Sequence, residues 1–159
     1  MNASKLQLTK ADARVRAQSW CAYQERSQQE VRDKLYSWNL TPPEVEDVIA
    51  GLIAESFLNE ERFARSYAGG KFRIKRWGKL KIKQALKLKR VPDKIIEKVL
   101  KEIPDEDYRH CLSELALKKR AEIREPDPFK KKAKLVNYLL TKGFENDLIF
   151  DVLKANNLS

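Results

Sequence analysis

Three similar series of apolar residues run along the chain and indicate one repeated pattern of elements. The first series is Val31, Leu35, Leu40, Val45, Val48 and Ile49. The second is Ile82, Leu86, Val91, Ile95, Val99 and Leu100, and the third is Leu135, Leu139, Phe144, Leu148, Val152 and Leu153. Each series has an apolar pair four residues apart, a short break, and then apolar positions near the helical period. This pattern predicts two consecutive amphipathic helices in each of three copies.

A longer helix is predicted before each of these pairs, at about residues 10–25, 60–76 and 105–122. No strand is predicted in any part of the chain. The sequence therefore predicts an all-α fold of nine helices, arranged as three tandem three-helix units.

The predicted domains are residues 1–58, 59–103 and 104–159, and each is one three-helix unit. Units of about 45–50 residues lie near the lower limit for independent folding. Neighbouring units are therefore expected to stack and share apolar surface, so that each unit touches only the next. The expected result is an elongated body.

Signals for helix starts and ends agree with this division. Segments 27–30 and 41–44 have the sequence of capping boxes, and Asn59 can cap the helix that follows it. Helix starts are also predicted at Pro92, Asp105 and Asp127-Pro128. Asn39 and Gly143 are expected to end helices in the left-handed conformation.

Basic residues are concentrated in the middle of the chain. Residues 62–92, here called the acid-free window, contain no Asp or Glu but twelve Lys or Arg. They are Arg62, Arg65, Lys71, Arg73, Lys75, Arg76, Lys79, Lys81, Lys83, Lys87, Lys89 and Arg90. The protein has 33 basic and 23 acidic residues, so outside the window 21 basic residues face 23 acidic ones. A block of one sign attracts a polyanion or an acidic protein groove, whereas helices made polar only for solubility usually mix both signs.

The candidate contact residues lie at the end of the first helix of the middle unit, in the turn after it and on the second helix. They are Lys71, Arg73, Lys75, Arg76, Trp77, Lys79, Lys83 and Lys87. Lys79, Lys83 and Arg90 are expected on an exposed face, and Ile82 and Leu86 on the opposite, buried face. Trp77 could stack on a base or anchor a protein contact, or it could plug the turn as a core residue.

A second basic cluster lies in the third unit. Its members are Lys118, Lys119, Arg120, Lys130, Lys131, Lys132 and Lys134. Because Glu122, Glu125 and Asp127 interrupt it, a weaker field is expected there than in the window.

Little in the sequence indicates a catalytic site. His110 and Cys111 are adjacent on a predicted helix, where neighbouring side chains point apart, and neither has a second ligand at metal spacing. Segment 69–72, Gly-Gly-Lys-Phe, lacks the earlier glycine and the Ser or Thr of a phosphate loop, and its glycines are expected to bend or interrupt a helix. Cys21 and Cys111 have no CxxC partner, which favours reduced thiols in a cytoplasmic protein. The sequence therefore predicts a protein that is not an enzyme and has no metal or cofactor.

Three segments carry a resemblance to a known family. Residues 57–64, Phe-Leu-Asn-Glu-Glu-Arg-Phe-Ala, resemble the signature of the RecX family, whose members regulate the RecA recombinase. Segments 27–35 and 78–86 resemble two further elements of that family, and Lys142-Gly143-Phe144 is the best anchor in the third unit. The chain departs from the pattern at Ser56 and Arg90, where the family usually has Gly, and at Glu60, where it usually has Asp.

The resemblance implies three tandem three-helix units that bind along the helical groove of the RecA filament on DNA. It also implies inhibition of ATP hydrolysis, strand exchange and coprotease activity, and direct binding of single- or double-stranded DNA. From the residues alone an alternative stays open, namely a sequence-independent DNA- or RNA-binding protein that acts without the recombinase.

We expect a cytoplasmic monomer with no membrane segment. No apolar run approaches the roughly 18 residues that span a bilayer. The N-terminal residues also lack the apolar core of a secretory signal.

Overall fold

The computed structural model describes residues 7–158, and within that range the chain forms nine helices and no strand. In chain order they are α1 Lys10–Tyr23, α2 Gln28–Ser37, α3 Pro42–Ala54, α4 Glu60–Arg73, α5 Lys79–Leu88, α6 Asp93–Lys101, α7 Asp105–Glu122, α8 Pro128–Thr141 and α9 Asn146–Ala155. We call α1–α3 unit 1, α4–α6 unit 2 and α7–α9 unit 3. The helix pairs that pack most extensively all lie within one unit. None of the described helices has the length and apolar character needed to cross a membrane.

Local sequence signals start the helices where they were expected. Ser27 accepts a hydrogen bond from the Glu30 amide at 3.0 Å, and the Glu30 carboxylate accepts from the Ser27 amide. The Asn59 side chain accepts from the Arg62 amide at 2.8 Å. Asp127 accepts from the first free amide of α8, at Phe129. These side chains satisfy amides that the first turn of a helix leaves without partners.

Five helices end in the same way, with a residue of positive φ. These residues are Asn39 at 63°, Ser56 at 63°, Arg90 at 58°, Gly143 at 99° and Asn157 at 58°. The amide of the next residue then bonds back to a carbonyl five positions earlier: Leu40 to Leu35, Phe57 to Leu52, Val91 to Leu86, Phe144 to Leu139 and Leu158 to Leu153. Both residues of each pair are apolar, so the turn closes with a hydrophobic contact. This motif explains why an apolar pair crosses the break in every repeat.

The expected left-handed ends at Asn39 and Gly143 are confirmed. Ser56 and Arg90 adopt the same conformation although they have side chains, so the departures from the family pattern leave the turn geometry unchanged. A left-handed conformation costs a residue with a Cβ about 1–2 kcal/mol.

One detail of the predicted repeat is wrong. In α6 the fully buried residue is Ile96 rather than Ile95. In α9 the fully buried residue is Ile149 rather than Leu148. Ile95 and Leu148 are only partly buried and pack at the edge of the core. With Ile96 and Ile149 the three series align without a gap, at constant offsets of 51 and 53 residues. The repeat is therefore more regular than the sequence reading suggested.

The buried residues form two hydrophobic cores. One belongs to unit 1 alone, from Ala13 to Leu58. The other runs through units 2 and 3, from Phe63 to Leu158. The Tyr108 ring connects the two parts of this second core, since its centroid lies 5.9 Å from that of Phe72 and 5.2 Å from that of Phe144. Apolar surface is thus shared between units 2 and 3, as expected, whereas unit 1 keeps a core of its own.

Unit 3 caps the N-terminus of α5 in unit 2. The amides of Gly78 and Leu80 donate to the carbonyls of Lys142 and Gly143, at 2.8 Å and 3.0 Å. Between them, the Lys79 amide donates to the Tyr108 hydroxyl at 2.9 Å. Gly78 has no side chain that could cap its own helix, so unit 3 replaces the internal cap that Ser27 provides at the equivalent position of unit 1.

The joint between units 1 and 2 is polar. The Glu60 carboxylate accepts from the Gln28 amide at 3.2 Å, and Lys89 forms an ion pair with Glu30 at 2.5 Å. Burial raises the pKa of the Glu60 carboxyl, although the bond from Gln28 opposes this shift. Unit 1 is thus attached to unit 2 by hydrogen bonds and ion pairs outside either core.

Candidate binding surface

The candidate contact residues surround the turn between α4 and α5. α4 ends at Arg73, three residues before its predicted end. Beyond it the chain reverses through Arg76, with φ 57°, and the Trp77 amide bonds back to the Lys71 carbonyl at 3.1 Å. Arg73 and Lys75 are exposed on this turn.

Trp77 is a partly buried residue of this turn, and its role in binding stays a prediction. Its side chain is half-buried and packs against the core of units 2 and 3. The ammonium groups of Lys71 and Lys81 lie 4.8 Å and 4.6 Å from its ring centroid. Both distances are within the range of a cation–π interaction. Trp77 therefore fixes the turn and holds two cations at its surface.

The prediction for α5 is wrong about which face is exposed. Lys79 and Lys83 are half-buried beside the buried stripe of Ile82 and Leu86 instead of opposite it. The reason is helical geometry, because residue 83 is only 100° from residue 82 and residue 79 is 60° from it at 3.6 residues per turn. The outer face of α5 presents residues 80, 84 and 88.

Lys87, the last of the candidate residues, is half-exposed near the end of α5. Its Nζ lies 3.9 Å from Asp93, at the limit of an ion pair. Lys83 and Lys87 thus lie farther along α5 than the turn. The structure brings the other six candidates together and leaves these two along the helix.

Unit 3 adds a cation that the sequence analysis missed. The Lys142 ammonium donates to the Lys75 carbonyl at 2.8 Å. Burial lowers the pKa of Lys142, and the nearby charges of Lys81, Arg76 and Lys75 lower it further. Like charges held this close favour an anion between them. Lys142 lies 67 residues after Lys75 in the chain, and the two residues are neighbours only because unit 3 contacts unit 2 at Gly78 and Gly143.

Carboxylates from outside the window neutralise part of its charge. The ion pairs are Arg62–Glu25, Arg65–Glu61, Arg65–Glu102, Arg76–Glu114, Lys87–Asp93 and Lys89–Glu30. The remaining seven window cations form no ion pair within residues 7–158: Lys71, Arg73, Lys75, Lys79, Lys81, Lys83 and Arg90. The field of the window is therefore strongest at the turn and along α5.

Arg76 already has a partner in unit 3. Its guanidinium lies 2.7 Å from the Glu114 carboxylate and lowers the pKa of that carboxyl. A lowered pKa in the folded state stabilises the fold above the ordinary carboxyl pKa, and this stabilisation is lost as pH falls through the folded value. Arg76 thus contributes to the joint between units as well as to the basic surface.

The residues weighed for catalysis have structural surroundings. His110 lies 2.9 Å from Glu114 on the exposed side of α7, and burial raises the pKa of the Cys111 thiol. No group of three or more His, Cys, Asp or Glu residues that could hold a metal ion occurs in the described part of the chain. The expected interruption of the helix at segment 69–70 is wrong, because α4 continues through both glycines. The Arg73 guanidinium packs over Gly69, where a Cβ would lie 2.7 Å from it.

Family comparisons match each unit in turn. Models of the first, second and third three-helix domains of RecX match residues 13–52, 59–100 and 105–153. The chain belongs to the RecX family. The resemblance seen in the sequence and the predicted all-α fold of three tandem units are confirmed. The match to the second RecX domain contains the whole acid-free window.

RecX proteins of known sequence and structure are similar over most of the chain. The regulatory protein RecX of Clostridium acetobutylicum is 36% identical over 146 residues, which are 89% of this chain and 67% of that protein. RecX of Prosthecochloris aestuarii is 31% identical over 138 residues, with 87% and 89% covered. The crystal structure of RecX from Lactobacillus salivarius superimposes with a TM-score of 0.86 at 27% identity, covering 94% of this chain and 97% of that one.

Proposed function

We propose that the chain is a non-catalytic regulator that binds RecA recombinase filaments on DNA. On this proposal it inhibits their ATP hydrolysis, strand exchange and coprotease activity, acting as a cytoplasmic monomer without metal or cofactor. The observation that carries the proposal is the RecX match, which extends through all three units.

The contact surface of this proposal is the α4–α5 turn together with α5. It contains the eight candidate residues and the two cations added by the structure, Lys81 and Lys142. Six of the seven window cations that form no ion pair within residues 7–158 lie on this surface and leave it positive, which suits both the phosphates of DNA and acidic side chains on a filament.

Exposed leucines beside these cations favour a protein partner. Leu80 and Leu88 lie on the outer face of α5, with 47% and 86% of their surfaces exposed. A phosphate backbone offers no apolar surface to cover such side chains, whereas a groove in a protein filament does. Cations bordering exposed apolar side chains are therefore better suited to a filament wall than to free nucleic acid.

A triple variant tests this surface. Replacing Lys75→Ala, Lys83→Ala and Leu88→Ser removes two cations and one exposed apolar side chain. None of these side chains forms an ion pair within residues 7–158. We expect the concentration for half-maximal inhibition of DNA-dependent ATP hydrolysis by RecA to rise about tenfold or more.

Lys94→Ala with Lys101→Ala is the matched control, since both lysines are exposed on α6 away from the turn. This control should inhibit like the unchanged protein. Equal inhibition by a folded triple variant and by the control would reject the assigned surface.

The alternative function is sequence-independent binding of DNA or RNA without the recombinase. The cluster of Lys75, Lys81 and Lys142 favours it, because close cations without carboxylates suit a phosphate. It predicts affinity for free single strands that falls steeply with salt. Leu88→Ser separates the two functions, because it should weaken binding to RecA filaments and leave binding to free strands unchanged. Equally tight binding of filaments and free strands, with no effect of Leu88→Ser, would favour the alternative.

A further inference from the structure

A second surface, in unit 3, presents an aromatic ring among cations. Phe129 is the second residue of α8, and 85% of its surface is exposed. Prolines precede it at 126 and 128, which restricts the backbone of the loop that carries it. Few large apolar side chains in the described part of the chain are so exposed. Folding alone does not explain why this ring faces solvent.

The ring borders an open cleft of about 500 Å³. The charged residues that line the cleft are Arg120, Lys131, Lys132 and Glu125, and Leu135 and Leu158 contribute apolar side chains to it. The Lys132 ammonium also lies 5.5 Å from the ring centroid of Phe150, a second partly exposed aromatic residue. The cleft thus combines an exposed ring and an apolar part with three cations.

The cations of the cleft have no carboxylate partner among the described residues, whereas two nearby carboxylates have partners of their own. Arg120, Lys131 and Lys132 form no ion pair with the residues that the structure describes. Glu125 pairs with Lys134 at 3.1 Å and accepts from the Asp127 amide. Asp127 in turn caps α8 at the Phe129 amide. Two of the three acidic residues that interrupt this cluster in the sequence, Glu125 and Asp127, therefore have partners within the loop or α8.

We propose that this cleft binds single-stranded nucleic acid, with one base stacked on Phe129 and adjacent phosphates bound by Arg120, Lys131 and Lys132. A protein ring among cations stacks on bases of any sequence, provided that they are not already paired in a duplex. An acidic protein partner fits less well, because three of the residues that line the cleft are cations and only two, Leu135 and Leu158, offer the large aliphatic side chains that anchor protein contacts. This site is separate from the α4–α5 surface and does not depend on the proposed regulatory function.

Two oligomers test the stacking and the charge separately. One is a short labelled oligothymidylate, and the other is an abasic sugar-phosphate oligomer of equal length. Phe129→Ala should weaken binding of the oligothymidylate about tenfold and leave the abasic oligomer unaffected. Lys131→Ala with Lys132→Ala should weaken binding of both oligomers and reduce the salt dependence, with a slope smaller by about 1.4 on logarithmic axes.

The controls are matched in exposure and charge. Tyr23→Ala removes an aromatic side chain that is 83% exposed in unit 1, and Lys94→Ala with Lys101→Ala removes two exposed lysines from α6. Both controls should bind the two oligomers like the unchanged protein. An equal loss of affinity in Tyr23→Ala and Phe129→Ala would overturn the proposal.

Crosslinking gives an independent readout in the unchanged full-length protein. An oligonucleotide that carries 5-iodouracil should crosslink to Phe129 on illumination, and mass spectrometry locates the modified peptide. Crosslinks confined to Trp77 and the α4–α5 turn would overturn the unit 3 site. Equal affinity for a polyglutamate of the same charge, insensitive to Phe129→Ala, would do the same by identifying an acidic protein as the partner.

Discussion

At the scale of single residues, two glycines allow units 2 and 3 to meet backbone to backbone. A Cβ on Gly78 would lie 2.3 Å from the carbonyl carbon and oxygen of Gly143. A Cβ on Gly143 would lie 2.4 Å from the Cβ of Lys81, and the positive φ of Gly143 already disfavours a side chain. The close contact places the Lys142 and Gly143 carbonyls within reach of the α5 amides.

Gly78→Ala should therefore destabilise the protein by about 3 kcal/mol, since the clash is with backbone atoms that cannot rotate away and the bonds to unit 3 are lost with it. Urea denaturation measures this change in the free energy of unfolding. Gly70→Ala is the matched control, because nothing lies within 4 Å of the added Cβ. The control should stabilise α4 by about 1 kcal/mol. A loss of stability in Gly70→Ala as large as in Gly78→Ala would contradict this account of the joint.

Single residues also show how far sequence reasoning reaches. Ser27, Asn59 and Asp127 cap helices through partners two or three positions away, so their roles can be read from neighbouring letters. Gly143, which Gly78 contacts, lies 65 residues farther along the chain, and no local sequence pattern indicates this contact. Lys142 was missed as a member of the basic cluster for the same reason.

At the scale of elements, α5 is a helix whose start is completed by another unit. Its second free amide, at Lys79, donates to the Tyr108 hydroxyl, which donates in turn to the Glu145 carboxylate. Burial and the bond to Glu145 raise the pKa of Tyr108 well above its ordinary value, so the hydroxyl keeps its proton. A side chain of α7 thus connects the start of α5 to the residue that precedes α9.

Tyr108→Phe should keep the packing and remove both hydrogen bonds. We expect the free energy of unfolding to fall by about 1–3 kcal/mol, because the Lys79 amide and Glu145 lose a partner. Hydrogen exchange at the amides of Lys79 and Leu80 should become faster. Tyr67→Phe is the control, since the Tyr67 hydroxyl has no hydrogen bond to any described residue and its loss should change little. Unchanged exchange at Lys79 in a stable Tyr108→Phe variant would show that Tyr108 does not cap α5.

The helices were largely predictable from the sequence, whereas the rotation of each helix about its own axis was less predictable. Helix number and type follow from apolar residues at the helical period, which the packing then confirms. Where two apolar residues are adjacent, as at 95–96 and 148–149, periodicity alone does not select the inner one. The face of α5 was misassigned because Lys79 and Lys83 border the buried stripe, where long side chains cover apolar surface and keep their charge in water.

At the scale of the whole molecule, the two cores divide the protein unequally. Unit 1 packs by itself, and units 2 and 3 pack as one body. The polar joint at Glu60 and Lys89 connects them without a shared apolar layer. Buried contacts are contiguous within each core but not between the two cores. We therefore expect unit 1 to unfold locally without the unfolding of units 2 and 3.

Hydrogen exchange monitored by mass spectrometry should reveal this division. Leu35 and Leu139 occupy equivalent positions in α2 and α8, and neither side chain is accessible to solvent. Truncation of either leucine to alanine should cost about 2–5 kcal/mol locally. Leu35→Ala should accelerate exchange in α1–α3 and leave α5 and α8 unchanged, whereas Leu139→Ala should accelerate exchange in α5 as well as in unit 3. Faster exchange in α8 caused by Leu35→Ala would indicate a single cooperative unit instead.

The capping of α5 by unit 3 also sets an order of events during synthesis. Unit 1 carries its own caps and its own core, so it can fold once residue 58 has left the ribosome. The first turn of α5 has to wait for Lys142 and Gly143, which are translated much later. The middle unit is therefore completed together with the last one. A nascent chain that is interrupted between units 2 and 3 carries the lysines of α5 on a helix whose first amides lack their partners. Only a chain that includes unit 3 presents the complete basic surface.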